Sequence, residues 1–280
     1  MRLKTVTKHF YNEKIAFFSL IYMLIWLLIA IFATVIAPFE AAEQNLMKIF
    51  QLPGKEHLLG TDQLGRDILS RAIMGSQTTF KAGFMAVLIP VLIGIPLGVL
   101  SGYLGGIIDD IFMRIVDGIL SFPAILLALA ITGVLGISLT NTMIAIGIIM
   151  TPEFARLSRG QTKQICSSAY IEASYISGGS SFWIMMKHII PNIMPPLIVQ
   201  ISFSFSVAIL IESGLSFLGL GAQAPQVSWG SLLKEAYVMI YSSPWMIIFP
   251  AFAISSMILA GNFVGDGLRV ALDPKVKKLN

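Results

Sequence analysis

Long apolar runs alternate with short polar clusters along the chain, and the runs are of membrane-crossing length. A bilayer's hydrocarbon core takes about 20 apolar residues of helix, so the gaps between charges count the crossings. Residues 15–36 form one run. Residues 82–104 form a second, broken by Pro90 and Pro96, which membrane helices tolerate where neighbours satisfy the freed backbone groups. Residues 118–152 carry no charge and, at about 1.5 Å per residue, overshoot one bilayer. The stretch "GVLGISLTN" supplies a turn in their middle and makes two crossings. Runs 189–211 and 245–264 complete an all-α integral membrane protein of six transmembrane helices. Between the last two, "SGLSFLGLGAQAPQVSWGS" predicts tight turns against the membrane surface with Trp229 as an interfacial anchor. The first run lacks a small-residue cleavage site and reads as a retained helix, not a signal peptide.

Composition agrees: charged residues are 12% and hydrophobic ones 56% of the 280, too little charge for a water-soluble surface. The single Cys166 rules out an internal disulfide, and His9, His57 and His188 have no metal-ligand spacing. The net charge of +4 comes from Lys and Arg flanking apolar runs, a topology signal and not a nucleic-acid surface. Arg2, Lys4, Lys8, Lys14, Arg114, Arg156, Arg159, Lys163, Lys187, Arg269, Lys275, Lys277 and Lys278 share one side if both termini are cytoplasmic. The opposite side holds Lys48, Lys55, Arg66, Arg71 and Lys234, largely matched by Glu40, Glu43, Glu56, Asp62 and Asp67. The expected layout is a cytoplasmic tail 1–14, a first transmembrane helix 15–37, an extracytoplasmic loop 38–78, a permease core 79–268 containing a cytoplasmic hairpin 156–191, and a cytoplasmic tail 269–280.

Within that hairpin, "YIEASYISGGSSFWIMMKHIIPN" reads as two short helices broken at Gly178-Gly179-Ser180, with Pro191 starting the next span. From the residues alone it is as readily a plain connector between two spans. The triplet Glu172-Ala173-Ser174, Gly178 four positions after it, and "HIIP" ending at Pro191 are similar to the EAA loop of ABC-importer permeases. Ser174, His188 and Ile190 depart from the general pattern. Three further blocks, "HLLGTDQLGRDILSRAIMG" (57–75), "LSFLGLGAQAPQVSWG" (215–230) and "NFVGDGLRVALDP" (262–274), together with "RIVDGILSFP", resemble the C-type permeases of dipeptide, oligopeptide and nickel importers. Gln77 stands where that branch commonly has arginine, and Val270 where an acidic residue often stands.

The resemblance implies a non-catalytic subunit of a bacterial inner-membrane importer. By it, Glu172, Ala173, Ser174, Gly178, Gly179, His188 and Pro191 would dock on cytoplasmic ATPases, and ATP and Mg would reside in those partners. The other partners it implies are a homologous B-type permease, forming a heterodimer with half of the path on each chain, and an external solute-binding protein. The cargo would be a peptide or, alternatively, nickel. Consistently, the chain has no G-x-x-x-x-G-K-[ST] phosphate cradle and no G-x-S-x-G or H-E-x-x-H motif. An ion-driven secondary transporter, the competing class, would show two related halves, which are not evident. An ionisable group at mid-bilayer costs roughly 2.5 to 3.5 kcal/mol, so Glu153, Glu212, Asp117 and Arg114 need reasons. Glu212 is the candidate for a group facing the interior, for the path or a structural hydrogen bond. Asp62, Arg66, Asp67 and Arg71 alternate in sign in the outer loop, where they either pair among themselves or meet a partner.

Overall fold

The structure, a computed structural model, describes residues 3–272. Arg2, Lys275, Lys277, Lys278 and the last two positions of the carboxy-terminal block, Asp273 and Pro274, lie outside the described residues, as do the side chains of Lys4 and Lys8.

The described chain is built from helices: α1 Leu3–Asn12, α2 Lys14–Ile31, α3 Ala33–Ile36, α4 Ile68–Ile89, α5 Ile95–Leu104, α6 Gly106–Leu120, α7 Ala124–Leu135, α8 Leu139–Cys166, α9 Ala169–Ile176, α10 Ser181–Ile184, α11 Ile190–Phe217, α12 Trp229–Val238 and α13 Ile248–Leu272. Among the described residues, four helices are long and apolar enough to cross a membrane, and a fifth is added if α6 and α7, bent by 93° at their junction, count as one broken span.

Two of these helices are much longer than their apolar runs. The helix expected at 82–104 starts at Ile68, because Asp67 caps it and its Oδ2 accepts the Ser70 backbone N–H at 2.7 Å. It continues through a π-helical turn, Pro90–Gly94, into α5. The helix expected to start at Pro191 instead begins at Ser181 and runs unbroken through a second π turn, Met185–Ile189, into α11. Both π turns end two residues before a proline: Ile95 N–H bonds to Pro90 O just ahead of Pro96, and Ile190 N–H bonds to Met185 O just ahead of Pro191. Proline brings no N–H and crowds the preceding turn; widening that turn to an i→i+5 bond lets the helix pass.

The bundle closes through small residues. Gly94, Gly98 and Gly102 form one face of the Ile68–Leu104 helix and lie against α8; a Cβ on Gly98 would collide with Ser158 Oγ and the Ala155 carbonyl, and one on Gly102 would lie 2.8 Å from Arg159 O. Without water to drive apolar burial, such close backbone approach is what dispersion and weak hydrogen bonds need between membrane helices.

Trp229 is a correction. The ring expected at the membrane interface is fully buried, with Nε1 donating to Ala72 O at 3.0 Å and edge contacts to Trp26 (5.1 Å) and Phe80 (6.4 Å). Its N–H finds a carbonyl inside, so burial of the large ring carries no polar cost. The loop around it is not all turn either, since Ser228 caps α12 with reciprocal bonds to Ser231.

Candidate functional site

The segment singled out in the sequence folds as a helical hairpin. α9 ends at Ile176, Gly178 takes φ +82°, and α10 restarts with Ser180 as its cap. The turn closes as Gly179 N–H bonds to Ser174 O at 3.1 Å, and a Cβ on Gly179 would come within 2.8 Å of that same oxygen. His188 joins the two arms: its Nε2 is 3.4 Å from Ser174 Oγ, and its ring meets Trp183 at 4.8 Å and Tyr170 at 6.2 Å. Lys187 lies over the Trp183 ring at 5.1 Å. Glu172 and Ala173 face solvent. Around them the hairpin exposes Tyr175, Ile176, Phe182 and Trp183, side chains that would normally be covered. The structure therefore brings Ser174, Gly178, Gly179 and His188 together in one hairpin, the glycines in its turn and His188 on its second arm, while Pro191 sits further along inside the continuous helix. The exposed Ile176 and Phe182 were not picked out from sequence, since their apolar character there matches that of the neighbouring spans.

At the other end of the bundle, the alternating charges of the 38–67 segment turn inward. Asp62 accepts from Leu64 N (2.8 Å), Arg66 N (3.0 Å) and Arg66 Nε (2.6 Å), and also pairs with Arg71. Arg71 grips Glu235 of α12 with two bonds, 2.7 and 2.9 Å, and Arg66 reaches the same carboxylate at 3.0 Å. Asp67 holds Ser70 and also His57 Nδ1, at 2.9 Å. Asp62, Asp67 and Arg71 are buried. These residues thus pair locally, and they do so around Glu235, which nothing in the local sequence marked. At the edge of the segment, the hydrogen bond from Lys48 holds the Glu56 carboxyl below the usual carboxylate range.

Glu212, expected to face the interior, is fully buried between α11 and α12; Ser216 Oγ donates to its Oε1 at 2.6 Å, and Oε2 has no partner among the described residues. A further ion cluster went unrecognised in the sequence: Asp109 of α6 accepts from Arg159 Nε (2.5 Å) and Nη2 (2.6 Å) and from Lys163 Nζ (2.7 Å), and Ser101 joins it. With the 2.5 Å Asp117–Arg156 pair, it ties α6 to α8, the helix that leads into the hairpin.

The chain belongs to the family described as binding-protein-dependent transport system inner membrane component, which matches residues 94–278, and residues 2–53 match the N-terminal transmembrane domain of oligopeptide transport permease C. It is therefore a non-catalytic permease subunit of an ABC importer of the peptide family. It is 43% identical over 270 residues to the dipeptide transport system permease protein DppC of Alkalihalophilus pseudofirmus, covering 96% of this chain and 89% of the relative. It is 42% identical over 273 residues to the glutathione transport system permease protein GsiD of Shigella flexneri, again covering 96% of this chain and 89% of the relative. Its fold resembles that of a chain in the inward-facing MetNI methionine ABC transporter, with TM-score 0.61 and 20% identity over 74% of this chain and 96% of that one.

Proposed function

We infer that this chain forms half of the path of an importer for short peptides, crossing the bacterial inner membrane six times with both termini in the cytoplasm. α8 supplies the crossing that composition alone leaves out; the charges from Glu153 onward dilute its apolar half. The hairpin is then the cytoplasmic coupling element: Glu172 and Ala173 present its docking face, Gly178 and Gly179 form its turn, Ser174 and His188 join its arms, and Pro191 starts its link into the span. Two ATPase subunits carry the ATP and Mg, a homologous B-type permease supplies the other half of the path, and an external solute-binding protein delivers cargo. The ionic cap built on Asp62, Arg66 and Asp67 shapes the outer face offered to that binding protein, with Glu212 packed beneath it.

The observation that carries the reading is likeness along 96% of the chain to proteins whose names specify a dipeptide and glutathione, both compounds with amide-linked residues. The test is uptake of labelled dipeptide against labelled nickel in a strain lacking the chromosomal copy, with and without this chain. Dipeptide uptake restored by the wild type but not by Glu172→Ala, at equal membrane levels, supports it. Restoration of nickel uptake alone replaces the cargo, and full dipeptide uptake by Glu172→Ala removes that residue from coupling.

A further inference from the structure

Two open grooves run beside α11 and α13, and their chemistry differs. One, bordered by α2, α4 and α11, is lined by apolar side chains such as Leu24, Phe84 and Ile201 apart from Ser202, whose hydroxyl already bonds to Gly261 O at 3.3 Å. The other, a cavity of about 580 Å³ between α8, α11 and α13, presents Gln161, Asn192, Gln200 and Arg269. Polar side chains are costly against lipid and persist where they meet water or protein, so the second groove suits a hydrated path better than the first.

Its polar groups have unused capacity. Glu153 is exposed at the groove's edge and receives one hydrogen bond, from Gln200 Nε2 at 3.2 Å, with no cation on it among the described residues. The nearby Arg156 is taken by Asp117. Gln200 Nε2 also bonds to Ser204, and Asn192 Nδ2 is spent on His188 O (2.6 Å) and Tyr170 Oη (3.4 Å), which leaves both amide carbonyl oxygens open. Gln161 and the exposed Arg269 have no hydrogen bond or ion pair among the described residues.

The spacing follows from helix geometry. Gln161 lies eight residues beyond Glu153 on α8, and Asn192 eight residues before Gln200 on α11, roughly 12 Å in each case. α13 runs antiparallel to α11 with Gly261 beside Ser202, so Arg269 comes level with the Asn192 end. The groove thus has the Glu153 carboxylate beside the Gln200 amide at one end and, roughly 12 Å away, the Arg269 guanidinium level with the Asn192 and Gln161 amides.

The geometry points to a station for a zwitterionic peptide, its ammonium at Glu153, its carboxylate at Arg269, and its backbone N–H groups on the Gln161, Asn192 and Gln200 carbonyls. At 3.3–3.6 Å per extended residue, the groove suits about three to four residues. This assignment rests on the reading of the chain as a peptide-importer permease and names the atoms that contact the cargo.

The test uses the assembled importer, with both permeases, its ATPases and its binding protein, in proteoliposomes supplied with radiolabelled trialanine. A photoreactive p-benzoylphenylalanine replacing Val199, a groove-lining residue, is expected to crosslink trialanine during turnover. Glu153→Gln and Arg269→Gln are each expected to lower uptake at least tenfold, and the paired swap Glu153→Arg with Arg269→Glu to restore part of it by accepting the peptide end for end. Crosslinking at position 199 to lipid alone, or wild-type uptake in both single variants, overturns this assignment while leaving the peptide reading standing. Uptake of a labelled dipeptide but not of trialanine by the wild-type importer overturns the station while leaving the peptide reading standing, and failure to take up either overturns both.

Discussion

Single positions in this chain differ in what they tolerate, for reasons of backbone and burial. Gly178 has open space where a Cβ would go, so its need for glycine comes from φ +82° alone. A residue with a Cβ pays about 1–2 kcal/mol there, a β-branched one more, and asparagine less. Gly178→Val is therefore expected to leave the protein in the membrane but to lower co-purification of the ATPases several-fold, with Gly178→Asn intermediate; pull-down at matched membrane levels measures this. Glu212 is the opposite case, fully buried and hydrogen-bonded to Ser216. Glu212→Ala removes that acceptor and strands a buried hydroxyl, at a cost of about 1–3 kcal/mol. Glu212→Gln keeps an oxygen in place and is expected to melt within a few degrees of wild type, well above the alanine variant, when unfolding of the detergent-solubilised protein is followed with temperature. Glycine at 178 and an inward glutamate at 212 were both legible, because each breaks the local composition. Glu235 was not: a lone glutamate in a polar loop looks solvated until the fold brings Arg66 and Arg71 to it, 169 and 164 residues away.

Among the elements, the cap joining the start of α4 to α12 is the clearest long-range contact made by charges. Arg71 serves two buried or half-buried carboxylates at once, and removing one partner of such a buried pair typically costs about 3–5 kcal/mol. Arg71→Leu is expected to destabilise the solubilised complex by that order, and high salt should not reproduce the loss, since screening acts weakly on buried pairs. A thermal shift in the variant no larger than that of an exposed-charge control such as Lys55→Leu would show the cap to be dispensable. Counting apolar residues pointed to the four long apolar helices but misplaced their ends. Arg71 and Lys81 interrupt hydrophobicity without interrupting the helix that contains them, and Pro191 interrupts a hydrogen bond without interrupting its helix. The glycine face at 94, 98 and 102 was visible as a four-residue period and passed unread, because it specifies a neighbour and not an element.

For the whole molecule, orientation is the quantity that the charges predict and a membrane assay decides. In a Cys166→Ser background, cysteines placed at Met47, 93% exposed, and at the exposed Gln223 are expected to react with an impermeant thiol reagent added outside intact cells, and one at Lys277 is not. Labelling at position 277 under those conditions would invert the topology. The bundle of long apolar helices was legible from its apolar runs, whereas the 93° bend between α6 and α7 was not, since Pro123 in "GILSFPAI" marks a break without stating how far the chain turns. The helix from Ser181 to Phe217 has a mechanical consequence. Its 37 residues make a rod of about 55 Å against a hydrocarbon slab of about 30 Å, with the hairpin turn at one tip and the Glu212–Ser216 contact near the other. A tilt of about 10° around its middle would swing each tip by roughly 5 Å, so a push on the hairpin arrives at the far side as leverage along one stiff beam, with the π turn at Met185–Ile189 as the joint that sets how much of the stroke is passed on.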